Sequence, residues 1–83
     1  MRGFLAYSLA GRDKGKVYII IKEEADYIWV TDGDIRPLEK PKKKNKKHIQ
    51  IIKVNIFDEI ASDKQSITNE IIKRTIKLYC KGI

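Results

Sequence analysis

Cysteine is almost missing from this chain. Cys80 stands alone, so no internal disulfide can form, and the composition suits a reducing, cytoplasmic compartment. Histidine is as scarce: His48 is the single one, and with Cys80 it makes no repeated ligand spacing, so neither a metal nor another cofactor is expected. The same scarcity argues against an enzyme. A nucleophile–base pair could come only from Cys80 and His48, which fall in different predicted elements with no third group to orient them. A lone histidine beside basic residues reads as a surface residue, and a lone cysteine near a helix end as quiet packing. No apolar run approaches the ~20 residues that a membrane-spanning helix needs. The N-terminal apolar stretch is broken by Tyr7 and Ser8 and followed at once by Gly11-Arg12-Asp13, so it reads as a strand and not as a secretory leader. Acids are in the minority, 11 against 18 lysines and arginines, for a net charge of +7. An excess of that size points to nucleic acid ahead of an anionic membrane surface.

What is present is a small domain rich in isoleucine. Its 83 residues allow one core, and a domain of this size buries only ~60% of its unfolded surface. Hydrophobic residues make up 42% of the chain, enough for a globular interior of strand-favouring type. Phe4 to Leu9 predicts a first strand. The turn Gly11-Arg12-Asp13-Lys14-Gly15 follows, with two glycines placed where the backbone can take positive φ. Lys16 to Lys22 is a second strand, apolar on both faces and therefore expected to be covered on both sides. Glu23 to Asp26 makes a hairpin connection to a third strand, Tyr27 to Thr31, in which Ile28 and Val30 are the better core candidates and Tyr27 and Trp29 face the other way. Asp32-Gly33-Asp34 is a hairpin turn, and Ile35 and Leu38 suggest a short fourth strand. His48 to Val54 is the fifth. Five short strands with tight turns predict a mainly β fold, a small barrel closed on itself.

From residue 55 the period changes. Ile56 to Ala61 suggests a short helical turn, and Ser62 to Gln65 a polar break. A C-terminal helix opens at Thr68 as N-cap, with Ile67 and Ile72 placed as a hydrophobic staple and Gly82 at its end. Its apolar stripe is expected to run through Ile71, Thr75, Ile76, Leu78 and Tyr79 and to cover an open end of the barrel. The organisation is a barrel over residues 1–54 and a helical extension over 55–83.

The segment Arg36 to His48 carries nearly all the charge. Its seven basic residues against Glu39 leave +6, so the rest of the chain contributes only +1. Like charges packed so densely gain most when a polyanion neutralises them. Pro37 and Pro41 exclude a central strand or helix interior, so the segment reads as an exposed, partly extended loop with lysines directed at phosphates. A solvated loop or a localisation tag is the plainer alternative. Arg12, Lys14 and Lys16, in or beside the glycine turn, can extend the same cationic surface, and Tyr27 or Trp29 beside it can stack on an unpaired base. Neutralising about five phosphates would give a log–log salt slope of roughly −3.5 on single strands to −4.5 on duplex DNA.

Several of these stretches together resemble the KOW-domain proteins, and in particular KOW-containing ribosomal proteins of the large subunit. The stretches are Ser8-Leu-Ala-Gly-Arg-Asp-Lys-Gly15 with the strand after it, Trp29-Val-Thr-Asp-Gly33, Arg36-Pro-Leu, and Lys40-Pro-Lys-Lys-Lys-Asn-Lys-Lys-His48. They span residues 3–54, close to two-thirds of the chain, and Gly15 looks like the glycine that the motif keeps between its strands. The resemblance implies an SH3-like β-barrel that binds RNA, ribosomal RNA among the candidates, through loops at one end, with ribosomal proteins as possible neighbours. The expected function is a non-catalytic RNA-binding module associated with translation. Its contact residues are expected to be Arg12, Lys14, Lys16, Tyr27, Trp29, Arg36, Lys40, Lys42, Lys43, Lys44, Lys46, Lys47 and His48. The alternative is a protein-interaction module that uses the barrel or the helix stripe of Ile72, Ile76 and Tyr79.

Overall fold

Alternation of apolar residues produces four of the five strands where expected. The computed structural model describes residues 3–55 and 67–81. It holds β1 (Phe4–Ser8), β2 (Val17–Glu23), β3 (Tyr27–Thr31), β4 (Lys42–Asn45), a 3-10 turn (Lys46–His48), β5 (Ile49–Asn55) and one helix, α1 (Asn69–Lys81). The strands form one antiparallel sheet in the order β4-β3-β2-β1-β5, curled into a half-barrel. The turn and break expected over residues 56–65, and the helix end at Gly82, lie outside the described residues.

The curl puts two apolar layers on opposite faces of β1 and β2. On one face Ala6, Tyr18, Ile20, Ile28, Val30 and Ile49 form the core, with Phe4 and Ile51 packed at its margin. On the other, Leu5 and Ile19 are fully buried against Ile72 of α1, with Val17, Ile52, Ile67, Ile76 and Tyr79 around them. Strand β2 is thus covered on both sides, as its unbroken isoleucine run implies. Each fully buried side chain of this kind contributes ~1.5–3 kcal/mol relative to an exposed one.

Three expectations are corrected. The fourth strand is not at Ile35 and Leu38: Ile35 is exposed, and the Asp32–Arg36 segment is a closed loop. Asp32 Oδ1 accepts from the amides of Asp34 and Arg36, and the carbonyl of Arg36 accepts from the Thr31 hydroxyl. The strand forms instead from the lysines after Pro41. Proline is tolerated just before an edge strand, and a polar strand can pair on one side alone. The barrel does not close by pairing, since β4 and β5 are the two edges of the sheet and the 3-10 turn bridges them. The helix covers the outer face of β1 and β2, where Leu5 and Ile19 needed burial, and not an open end.

Asn69 and Gly33 hold the helix in that place. Thr68 caps it as expected, its hydroxyl accepting from Ile71 N at 3.2 Å. Asn69 Oδ1 accepts from Leu38 N at 2.6 Å, while its amide nitrogen donates to Glu39. Gly33, at φ +76°, lies so close to the first turn that a Cβ would stand 2.2 Å from the Asn69 carbonyl oxygen and 2.9 Å from Lys73 N. Gly33→Ala should therefore lose about 2–4 kcal/mol in denaturant unfolding, from backbone strain and overpacking together. Gly11→Ala, whose methyl would meet Asp13 Oδ1 at an ordinary 3.5 Å, should lose only the strain, about 1 kcal/mol. Equal losses for the two would remove the helix contact from the account of Gly33.

The exposed and buried sides of α1 follow from this docking. Ile72 is fully buried, with Ile76 and Tyr79 packed beside it, while Leu78 is 63% exposed. Ile76 and Tyr79 of the expected stripe thus face the sheet, while Ile72 is the fully buried position and Leu78 turns outward. Ile72, Ile76 and Tyr79 therefore pack on the chain's own sheet.

Candidate nucleic-acid interface

Asp13 joins the glycine turn to the lysine strand. Gly11 and Gly15 both take positive φ, and the amide of Gly15 donates to Ser8 O while that of Lys16 donates to Asp13 O. This tight turn aims the Asp13 carboxylate inward. It accepts from Ser8 Oγ at 2.8 Å, Tyr18 OH at 3.0 Å, Lys42 Nζ at 2.9 Å and Lys44 Nζ at 2.9 Å. The Lys44 ammonium also donates to Ser8 Oγ at 2.9 Å, and the side chains of Lys44 and Asp13 are only 7% and 8% exposed. Among the described residues no buried side-chain polar atom lacks a partner. Burial alone would raise the Asp13 pKa, but the hydrogen bonds from Lys44, Lys42, Ser8 and Tyr18 outweigh it and hold the carboxyl far below the usual carboxylate range. Burial, and then the hydrogen bond to Asp13, pushes the Tyr18 phenol well above its ordinary value.

The basic segment is consequently not a free arm. Lys42, Lys43 and Lys44 alternate across β4, so Lys44 points inward opposite Ile28 while Lys43 stands outward opposite Trp29. An inward charge on an edge strand also discourages another chain from extending the sheet. Lys46 donates to Glu23 at 2.8 Å, a hydrogen bond that lowers the Glu23 pKa. Three of the six lysines in this segment, Lys42, Lys44 and Lys46, are thus bound to the chain's own carboxylates. Lys44 is a structural residue, since its ammonium cannot leave Asp13 without stranding a buried charge. Lys42, at 30% exposure, keeps one side open, and two ammonium groups on one carboxylate leave a surplus of one.

Around this clamp lies a cleft of about 310 Å³ lined by Ala10, Gly11, Asp13, Lys42, Lys43, Lys44, Asn45 and His48. Leu9 N donates to His48 O at 2.8 Å, which ties the glycine turn to the 3-10 turn at the same place. Arg12, Lys14, Lys43, Lys47 and His48 are exposed on the elements that form the cleft. Arg12, Lys14 and Lys47 carry no ion pair among the described residues, and the Lys43 ammonium lies 4.3 Å from the Tyr27 ring centre and 5.5 Å from that of Trp29. Lys22 sits over Trp29 as well, at 4.9 Å. Tyr27 is 40% exposed and Trp29 half-buried.

Other expected contact residues fall elsewhere. Lys16 lines a separate cleft with Asp32, Asp34 and Lys73, and its ammonium is 3.7 Å from Asp32. Arg36 belongs to the Asp32 loop that faces α1, and Lys40 is exposed before Pro41. Cys80, expected to pack quietly, is exposed on α1, while His48 lies in the 3-10 turn.

Asp13 itself was missed as an organising residue, although it is the one acid of a glycine-bounded turn and stands between an arginine and a lysine. Asn45, which accepts from Lys47 N at 2.9 Å and caps the 3-10 turn, was missed too.

No protein-family model matches the chain, and no curated protein matches it in sequence. Among the described residues no helix is long and apolar enough to cross a membrane, and no cluster of three histidine, cysteine, aspartate or glutamate side chains is placed to hold a metal ion.

Proposed function

We propose that this chain is a non-catalytic RNA-binding module of the SH3-like, KOW type. The observation that carries the reading is the Asp13 clamp, which gathers the glycine turn and the lysine strand into one surface with far more cations than acids. Arg12, Lys14, Lys42, Lys43, Lys44 and Lys47 stand against Asp13 alone, a surplus of five. Such a surface concentrates phosphates without reading sequence, because phosphate contacts fix position and carry no base information. The sheet order, in which β5 returns to pair with β1 after a 3-10 turn, is compatible with an SH3-like barrel. The preference for RNA, and for a role in translation beside ribosomal RNA or ribosomal proteins, rests on the KOW resemblance. The charge serves either nucleic acid.

A salt titration tests it. With Arg12, Lys14, Lys43 and Lys47 each meeting a phosphate, the log–log slope on single-stranded RNA should be about −3, and affinity should fall roughly fiftyfold between ~50 and ~200 mM salt. Binding that ignores salt, beside protein partners that survive nuclease treatment, would replace this reading with a protein-interaction one.

A further inference from the structure

We infer that the outer face of β3 accepts an unpaired base, so that the RNA this surface selects is single-stranded. The inference rests on reading the Asp13-ordered surface as an RNA-binding one. Tyr27 and Trp29 project to the same side of β3, opposite to the buried Ile28 and Val30. Across the ladder, Trp29 pairs with Lys43 on β4 and with Lys22 on β2, so an aromatic row is flanked by ammonium groups on both neighbouring strands. Lys43 belongs to two places at once. It lines the cationic cleft, and its ammonium lies 4.3 Å from the Tyr27 ring centre.

That juxtaposition fits a nucleotide with a free base. A duplex keeps its bases stacked inside and offers this face only phosphates, whereas an unpaired nucleotide offers a flat π surface joined to a phosphate. An ammonium over an exposed ring is a weaker contact than a base stacked on it. When a base arrives over Tyr27, Lys43 can leave the ring and meet the adjoining phosphate while remaining at the mouth of the cleft. Tyr27 is the ring that stacks, because it is the more exposed of the two and Trp29 is held between Lys22 and Lys43. Stacking of this kind tolerates any base.

The experiment titrates the full chain with oligo(U), and with an RNA duplex of equal phosphate number, at one low salt concentration. It follows RNA anisotropy and the fluorescence of Trp29, the single tryptophan. Oligo(U) should bind more tightly than the duplex and shift the Trp29 emission. Tyr27→Leu, which keeps apolar volume at an exposed position, should weaken oligo(U) binding about tenfold while leaving duplex binding and the thermal midpoint unchanged. Tyr27→Phe should bind oligo(U) as the parent does. Duplex binding as tight as oligo(U) with no change in Trp29 emission at saturation, or an equal loss for both RNAs in Tyr27→Leu, overturns the stacking inference and leaves the cationic RNA surface standing. Failure of both RNAs to bind at low salt overturns the two together.

Discussion

Asp13→Ala should lose about 3–5 kcal/mol of folding stability, the cost of leaving a buried charge without its partner. The stranded group is the Lys44 ammonium, 7% exposed, for which the Asp13 carboxylate is the counter-charge. A domain of 83 residues holds only about 4–12 kcal/mol in all, so the variant should be largely unfolded or melt far below the parent. Adding Lys44→Met should restore most of the loss, because an apolar side chain of similar length leaves no orphaned charge. The coupling read from the double-mutant cycle separates this account from simple loss of packing at the turn. If Asp13→Ala melts within a few degrees of the parent, the clamp is not what holds β4 to the glycine turn.

The same carboxylate predicts an acid limb. Its folded pKa lies far below the unfolded value of about 3.9, so its contribution is fully present above that value. As pH falls below about 4 the unfolded chain takes up the proton first, and stability declines until the folded carboxyl also titrates. Tyr18 acts in the opposite direction: its raised pKa means that its contribution is intact below about pH 10 and declines above it.

Much of the fold was legible because burial here follows alternation. Ile28 and Val30 against Tyr27 and Trp29 announce both a strand and its inner face. Strand β4 could not be read in that way. Lys42, Lys43 and Lys44 are identical residues, so the period of two that separates an outward Lys43 from an inward Lys44 leaves no trace in the sequence. What buries Lys44 is a carboxylate 31 positions away in the chain, and no local pattern signals a pairing at that distance. The helix shows the same limit. Thr68 and the staple of Ile67 and Ile72 were visible locally, but whether Ile71 or Ile72 faced inward depended on Gly33 and Asn69, a tertiary contact. The basic segment was correctly located as the source of charge. Its reading as an exposed loop missed strand β4 because repulsion among lysines was weighed without asking which acids the fold would bring to them.

That failure determines which variant can test RNA binding. Replacing Lys42, Lys43, Lys44, Lys46 and Lys47 together by glutamine would remove the Asp13 clamp, so any loss of RNA would be confounded with unfolding. Replacing Arg12, Lys14, Lys43 and Lys47 leaves every ion pair to Asp13 and Glu23 in place. Exposed substitutions of this type change stability by about 0.5 kcal/mol or less each, and lowering the net charge from +7 to +3 relieves self-repulsion. Each lost phosphate contact removes about 0.7 from the log–log salt slope on single strands. At ~0.1 M salt that corresponds to about 0.7 log units of affinity, so four contacts amount to roughly several-hundredfold. The fourfold glutamine variant should thus melt near the parent temperature, bind RNA several hundred times more weakly, and show a salt slope close to zero. An undiminished slope in a folded variant would mean that RNA meets other cations, and the cluster of Lys16, Lys73 and Lys77 beside α1 would be the next to replace.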